Sequence, residues 1–178
     1  MSLSFKKATE KDIPLICQLA DDIWRKHYLP IIGPVQVEYM MKKMYAPENI
    51  LQQMKDQQLY TLVLNNDVPI GYMSVSTKDN KNYSLHKLYV KVDEQRKRIG
   101  EQLLKHIVET NKTLETLQLT VNRQNYKAVN FYFKSGFIIK EVADFDIGNN
   151  YFMNDFVMIA TADRLRTNLK LNELTQAK

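Results

Sequence analysis

One segment carries more structural information than any other in this chain: LTVNRQNYKAVNFYFKSGF, from Leu119 to Phe137. Its start continues an apolar alternation at Leu117, Leu119 and Val121, which is typical of a half-buried strand. Apolar residues then crowd one broad side of a predicted helix: Ala128, Val129, Phe131, Tyr132 and Phe133. Gly136 follows as the helix C-cap. The segment therefore predicts a strand that runs into an aromatic helix.

Length and charge limit what the protein can be. A chain of 178 residues fits one domain with a single core, and we expect that domain over residues 1–162, with a polar, weakly anchored tail over 163–178. The formal charge of +5 favours an anionic partner without choosing among a cofactor, a nucleic acid and a membrane surface. Neither an apolar leader core nor a run of roughly 20 apolar residues occurs. We therefore expect a cytoplasmic protein that makes no use of a membrane.

Cysteine and histidine are too sparse for a metal centre. Cys17 is the single cysteine, which excludes an internal disulfide, and its place in an apolar helical pattern favours burial. The histidines are scattered at His27, His86 and His106. We therefore predict no metal site.

Periodicity predicts the order β, two helices, three strands, helix, strand, helix, two strands. The first helix follows Thr9 and ends near Tyr28, and the second opens at Gly33 and Pro34 and breaks at Pro47. The later elements are predicted at 59–76 (a hairpin), 83–91, 100–110, 114–122, 124–135, 137–147 and 151–161.

The aromatic segment and this order resemble the Gcn5-related N-acetyltransferase superfamily over roughly residues 3–162. The residues that fit its N-x-x-A-x-x-F-Y-x-x-x-G-F pattern are Asn125, Ala128, Phe131, Tyr132, Gly136 and Phe137. The resemblance implies an α/β (α+β) fold whose mixed, mostly antiparallel sheet of six to seven strands is flanked by helices and splayed between strands 4 and 5. It implies acetyl-CoA in that gap. The segment DIGNNYFMNDFVM, residues 146–158, is also similar to PaiA-type polyamine acetyltransferases.

A basic turn supplies the second chemical feature, within YSLHKLYVKVDEQRKRIGEQLLKHIV, residues 83–108. A helix N-terminus exposes unpaired N–H groups and the positive end of its dipole, so a pyrophosphate binds well there. The residues of this predicted cradle are Gln95, Arg96, Lys97, Arg98, Ile99, Gly100 and Glu101. Arg98 stands where the family has the first glycine of Q/R-x-x-G-x-G/A. Two consequences stay open, a loss of cofactor affinity and a guanidinium contact to a phosphate oxygen.

The resemblance assigns further cofactor contacts. Backbone groups of Leu88, Tyr89 and Val90 match the strand that pairs with pantetheine, and Asn125 and Lys134 match positions that meet the cofactor. A helix cap is nearly as good an explanation for Asn125, and a surface position is a better one for Lys134.

Acetyl transfer to an amine requires two proton movements. Only roughly one amine in a few thousand is neutral at pH 7, so a proton acceptor is useful. The departing thiolate is best protonated by an acid, and Tyr132 matches the family's general acid. An oxyanion stabiliser is expected from the backbone N–H near Tyr89 or Val90.

The general base is less well determined by the sequence. Ser84 stands where many relatives carry a carboxylate, and His86 close by has a suitable pKa. The alternatives are Glu38, Asp144, Asp146, Asp155 and a water chain. Trp24 and Tyr28 match one wall of the family's acceptor cleft.

The leading prediction is an acetyl-CoA-dependent N-acetyltransferase that acts on a primary amine by direct attack in a ternary complex. A polyamine is one candidate acceptor because the acidic residues near Asp144 and Asp155 suit a polycation. Two other classes remain, a non-catalytic acyl-CoA-binding sensor and a nucleic-acid binder suggested by Arg164 and Arg166. No nucleic-acid motif accompanies that charge, so we predict no nucleic-acid partner. The resemblance also makes a homodimer plausible.

Overall fold

The computed structural model describes residues 2–95 and 97–171. Its helices are α1 (Ile13–His27), α2 (Leu29–Tyr45), α3 (Pro47–Lys55), α4 (Ile99–Thr110), α5 (Tyr126–Lys134) and α6 (Ala162–Asn168). Its strands are β1 (Leu3–Lys7), β2 (Leu59–Asn65), β3 (Val68–Thr77), β4 (Asn82–Val90), β5 (Thr116–Asn122), β6 (Ile138–Gly148) and β7 (Tyr151–Thr161). The hydrogen-bonded order is β1-β2-β3-β4-β5-β7-β6. The predicted α/β class and the mixed, seven-stranded sheet are confirmed.

The chain divides into two compact units. The first comprises Met1–Ser76 with His86–Gly100, and the second comprises Thr77–Leu85 with Glu101–Lys178. Strand β4 therefore contributes its last residues to the first unit and its first residues to the second. The single domain expected over residues 1–162 stays a prediction.

In the first unit, β1 and β3 pair antiparallel with β2 on its two sides. A capping box between Thr9 and Asp12 precedes α1, whose apolar stripe is buried: Ile13, Ile16, Leu19, Ala20, Ile23 and Trp24. Cys17 is only half-buried, because it lies beside that stripe, and its thiol donates to the Tyr45 carbonyl at 3.3 Å. Element α2 comprises two helical stretches separated by a kink at Gly33 (φ 77°, ψ 165°); the longer one opens at Pro34, as predicted, and a short one begins at Leu29. Pro47 opens a separate helix, α3.

In the second unit, residues 82–85 of β4 run parallel to residues 116–119 of β5. Strand β7 lies between β5 and β6 and is antiparallel to both. The predicted core side of β5 is buried at Leu117, Leu119 and Val121. On α5, Val129 and Tyr132 are buried, whereas Phe133 is 44% exposed, so the apolar side of this helix is narrower than predicted.

We expected a weakly anchored tail from residue 163, and this expectation is wrong for the first part of that segment. Residues 162–168 form α6, and Leu165 and Leu169 are 0% and 1% exposed. Thr161 caps the helix through its hydroxyl, which accepts from the Arg164 amide. Gly136 (φ +101°) completes the anchor, because a Cβ there would lie 3.0 Å from the Arg164 carbonyl oxygen. Three buried apolar side chains at helical spacing, Ala162, Leu165 and Leu169, thus anchor a segment whose composition is mostly polar. The remaining tail positions, 172–178, lie outside the described residues.

Within the part of the chain that the structure describes, no helix combines the length and the apolar composition needed to cross a membrane.

Candidate active site

The predicted phosphate cradle lies at the end of the first unit, where α4 begins at Ile99. Arg98 directly precedes the helix and has φ +56°, the left-handed region that favours glycine. The backbone therefore has a conformation that glycine adopts readily, although a larger side chain occupies the position. Arg98 is exposed, which leaves its guanidinium accessible to an anionic ligand.

Side chains on both sides of Arg98 brace this turn. The Gln95 amide donates to the Val90 carbonyl at 3.2 Å, which ties the turn to the end of β4. Lys97 pairs with Glu94 at 2.8 Å in an exposed position. In the second unit, Glu101 of the helix's first turn pairs with Lys105 at 3.1 Å. Arg96, which the sequence also places in the cradle, lies outside the described residues.

The end of β4 approaches β3 very closely at Gly71. A Cβ at Gly71 would lie 2.3 Å from the Tyr89 carbonyl oxygen, so no side chain fits there. The Lys91 amide donates to the Ile70 carbonyl at 2.8 Å and holds the same stretch. Leu88, Tyr89 and Val90 are therefore fixed along one edge, as a strand that pairs with an extended ligand has to be.

An aromatic cluster in the first unit contains both predicted acceptor residues. Trp24 and Tyr28 stack with ring centroids 4.3 Å apart, and Tyr89 lies edge-on to both at 6.1 and 6.4 Å. Tyr45 is 5.3 Å from Trp24, and Tyr72 is 5.6 Å from Tyr89. Trp24 is 4% exposed, and its indole N–H has no acceptor among the described residues. Burial raises the pKa of Tyr45, Tyr72 and Tyr89, so their hydroxyls stay protonated. Such a cluster offers π faces and N–H or O–H donors to a ligand.

Lys87, a residue that the sequence interpretation missed, is buried next to this cluster. Its ammonium lies 2.5 Å from the Gln53 amide oxygen and above the rings of Tyr45 and Tyr60, 5.7 and 5.3 Å from their centroids. Burial lowers the pKa of Lys87 to about 8. A sequence signal existed, because Lys87 shares the alternation of the buried residues Tyr83 and Leu85.

His86, the predicted base, precedes Lys87 in β4, so its side chain lies on the opposite face of the strand. Its Nε2 and the Ser76 hydroxyl lie 2.8 Å apart and share a hydrogen bond. Partial desolvation of the ring, and then the charge of Lys87, lower the pKa of His86. The imidazole is therefore neutral at pH 7 and able to accept a proton.

The aromatic motif lies wholly in the second unit. Asn125 is 5% exposed and caps α5, since its side-chain oxygen accepts from the Ala128 amide at 3.2 Å. Tyr132 is 8% exposed and packs against Phe131 and Phe137, with centroids 5.1 and 5.4 Å away. Lys134 is exposed at the end of the helix. The structure thus shows the cap role of Asn125, while the cofactor roles of Asn125 and Lys134 stay predictions.

Three of the four carboxylates named as alternative bases lie on the surface with a partner. Glu38 pairs with Arg25, and Asp144 pairs with Arg123. Asp146 accepts from the Gly148 amide at 2.7 Å within the β6–β7 turn. These carboxylates are occupied by ordinary surface interactions.

Asp155 differs from them, because it is 5% exposed in strand β7, which lies between β5 and β6. It lies opposite Asn122 of β5 and Ala143 of β6. Burial raises the pKa of Asp155 to about 6, while a hydrogen bond from Thr120 acts in the opposite direction. Among residues 2–95 and 97–171, no group of three or more His, Cys, Asp or Glu side chains is arranged to hold a metal ion.

Comparisons with known proteins agree with this geometry. Spermidine N(1)-acetyltransferase of Thermoplasma acidophilum is 26% identical over 160 residues, which cover 85% of this chain and 99% of the relative. The crystal structure of PaiA N-acetyltransferase from Thermoplasma acidophilum in complex with coenzyme A matches with a TM-score of 0.75 and 26% identity, over 90% of this chain and 99% of that one.

A more distant structure shares the fold alone. The ribosomal-protein-S18-alanine N-acetyltransferase from Escherichia coli matches with a TM-score of 0.70 at 15% identity, over 90% of this chain and 94% of that chain. The model of the acetyltransferase (GNAT) domain matches residues 28–146. Since that match covers more than half of the 178 residues, the chain belongs to the GNAT acetyltransferase family.

Proposed function

We propose that this protein transfers the acetyl group of acetyl-CoA to a primary amine of a polyamine, by direct attack in a ternary complex. The N-acetyltransferase activity and the use of acetyl-CoA follow from membership of the family. The acceptor and the order of events are the proposal. The similarity to a spermidine N(1)-acetyltransferase over 85% of the chain is the observation that supports a polyamine most directly.

The first unit supports the cofactor role. Arg98 keeps a left-handed backbone at the start of α4, so amide groups of the turn are available to a pyrophosphate in the manner of a glycine turn. We assign phosphate contacts to residues 95–101 and pantetheine pairing to Leu88, Tyr89 and Val90. A backbone N–H near Tyr89 or Val90 is the proposed oxyanion donor.

The roles of the side chains follow from protonation. Tyr132 is proposed as the acid that protonates the departing sulfur, with Asn125 and Lys134 as cofactor contacts. His86 is neutral at pH 7 and is the base that the sequence predicts. Trp24 and Tyr28 are proposed to contact the acceptor, because π faces attract an ammonium group. A homodimer stays a prediction.

The experiment is thermal unfolding with and without acetyl-CoA, followed by release of free CoA thiol in the presence of spermidine, amino acids and aminoglycosides. Acetyl-CoA at 100 times its Kd should stabilise the native state by about 2.7 kcal/mol. Thiol release with spermidine supports the polyamine assignment, and release with another amine reassigns the acceptor. The absence of any thermal shift would refute acetyl-CoA binding.

One observation keeps a second function open. A residue other than glycine occupies the strained position of the phosphate turn. A protein that binds acyl-CoA as a sensor, without turnover, would show the thermal shift but release no thiol with any amine.

A further inference from the structure

One buried carboxylate has no structural counter-charge. Asp155 is 5% exposed, yet no Lys, Arg or His side chain lies within ion-pair distance of it in the described ranges. Arg123, the cation whose charge acts on Asp155, pairs with Asp144 instead. Carboxylates are rarely buried unless they are paired, and unpaired ones concentrate at functional sites.

Backbone contacts place Asp155 at the start of the aromatic motif. Its partner across β5 is Asn122, whose carbonyl accepts from the Asn125 amide at 2.9 Å. Next to it, the Arg123 amide donates to the Asn154 carbonyl at 2.9 Å. Asn125 caps the helix that carries Tyr132. The carboxylate is thus held where β5 passes into α5.

The hydrogen bond from Thr120 gives the carboxylate a connection to the outside. Thr120 is exposed, so the Asp155 oxygens lie one side chain below the surface. The Thr120 hydroxyl therefore links the largely buried carboxylate to the surface. Exclusion of water strengthens the attraction between a carboxylate and a cation.

We propose that Asp155, and not His86, binds the ammonium group of the acceptor and takes its first proton, an inference that rests on the acetyltransferase function proposed above. The carboxylate accepts one proton from R–NH3+, which leaves a neutral amine. The nitrogen lone pair forms the new C–N bond at the thioester carbonyl carbon, and the C–S bond breaks with its electrons on sulfur. The second proton leaves nitrogen for solvent, and Tyr132, which has given its proton to the thiolate, regains one from solvent. Asp155 returns its proton to solvent.

The surroundings of Asp155 tune this role. Burial raises its pKa to about 6, the Thr120 hydrogen bond and the charge of Arg123 lower it, and the charge of Asp144 raises it. Among the described residues, the charged groups that act on Asp155 are Arg123, which directly follows β5, and Asp144 of β6. The carboxylate is consequently ionised at pH 7 and still basic enough to take a proton.

The test is the pH profile of kcat/KM with spermidine, measured from pH 5 to pH 9 through the release of free CoA thiol. In the wild-type enzyme, Asp155 must be ionised and the substrate protonated. The profile should therefore rise about tenfold per pH unit below about 6 and stay level up to pH 9. In Asp155→Asn only the neutral amine reacts, so kcat/KM should fall about 10²- to 10⁴-fold at pH 7 and rise tenfold per unit through pH 9.

Three controls separate the outcomes. Asp163→Asn removes a carboxylate whose side chain is 96% exposed and should keep the wild-type profile. His86→Asn compares the two candidate bases: loss of the level region in this variant, with its retention in Asp155→Asn, would return the role to His86. The thermal shift with acetyl-CoA should survive in Asp155→Asn, which shows that the variant folds.

Two results would overturn different statements. A wild-type profile with no break near pH 6 refutes the role of Asp155 even if the variant does not fold. Absence of thiol release from the wild-type enzyme with every amine refutes the proposed function itself.

Discussion

Asp155 should make the free energy of unfolding depend on pH in a way that its amide variant does not. Burial raises the pKa of this carboxyl from 3.8 to about 6 in the folded protein. Each pK unit is worth about 1.4 kcal/mol, so ionisation of Asp155 costs the folded state about 3 kcal/mol. Asparagine has nearly the same shape and carries no such cost.

The sign follows from the order of ionisation. Below pH 3.8 the carboxyl is protonated in both states, and no cost arises. Between pH 3.8 and pH 6 the unfolded chain ionises first, so the wild-type protein loses stability as the pH rises. Above pH 6 the cost is fully present. The stability of Asp155→Asn relative to the wild type should therefore increase by about 2.5 kcal/mol between pH 4 and pH 8.

Urea unfolding at several pH values measures this difference directly, with the fluorescence of the single tryptophan, Trp24, as the probe. The difference between the two proteins isolates Asp155, because all other titrating groups are common to both. Asp163→Asn serves as the control and should give a difference that does not change with pH. The difference in the free energy of unfolding between Asp155→Asn and the wild type should grow with pH. If it is constant, or if it narrows as the pH rises, Asp155 is not a desolvated carboxylate.

Three further substitutions test other parts of the molecule. Tyr132→Phe should lower thiol release by roughly one to three orders of magnitude and leave the acetyl-CoA thermal shift intact; unchanged turnover would remove the proposed acid. Arg98→Gly relieves a left-handed backbone at φ +56° and should stabilise the protein by about 0.5–1 kcal/mol, while it changes CoA affinity more than the KM of the amine. Equal effects on both ligands would contradict the phosphate role. Leu165→Ala should cost about 2–5 kcal/mol in urea unfolding because the side chain is 0% exposed, whereas a cost under about 0.5 kcal/mol would mean that α6 is not anchored.

The sequence predicted the elements whose periodicity is strong. The alternation at Leu117, Leu119 and Val121 and the cap at Gly136 are both present in the structure. It missed α6, since Ala162, Leu165 and Leu169 are separated by charged residues that make the segment look like a solvated tail. It correctly placed the start of the longer helical stretch of α2 at Gly33 and Pro34, and it missed the short stretch that begins at Leu29.

The candidate site was predictable only where a motif carries it. Residues 95–101 and Asn125 to Phe137 can be read from their spacing, and Arg98 marks the departure from the family pattern. Lys87 shares the alternation of buried residues on β4, but its partners, and the burial of Asp155, could not be read from spacing. They depend on which strands lie beside β4 and β7 and on what packs over them, and those pairings join residues far apart in the chain.

The buried ammonium of Lys87 has a consequence for an enzyme that handles an activated acetyl group. With a pKa of about 8, about a tenth of its side chains are neutral at pH 7, compared with roughly one in a few thousand for an ordinary lysine. A far larger fraction of this amine is therefore in the nucleophilic, neutral form than for a lysine on the surface. Its enclosure by Gln53, Tyr45 and Tyr60 leaves Lys87 8% exposed. We therefore expect the packing of α3 over β4 to protect this lysine from acetylation by the protein's own cofactor.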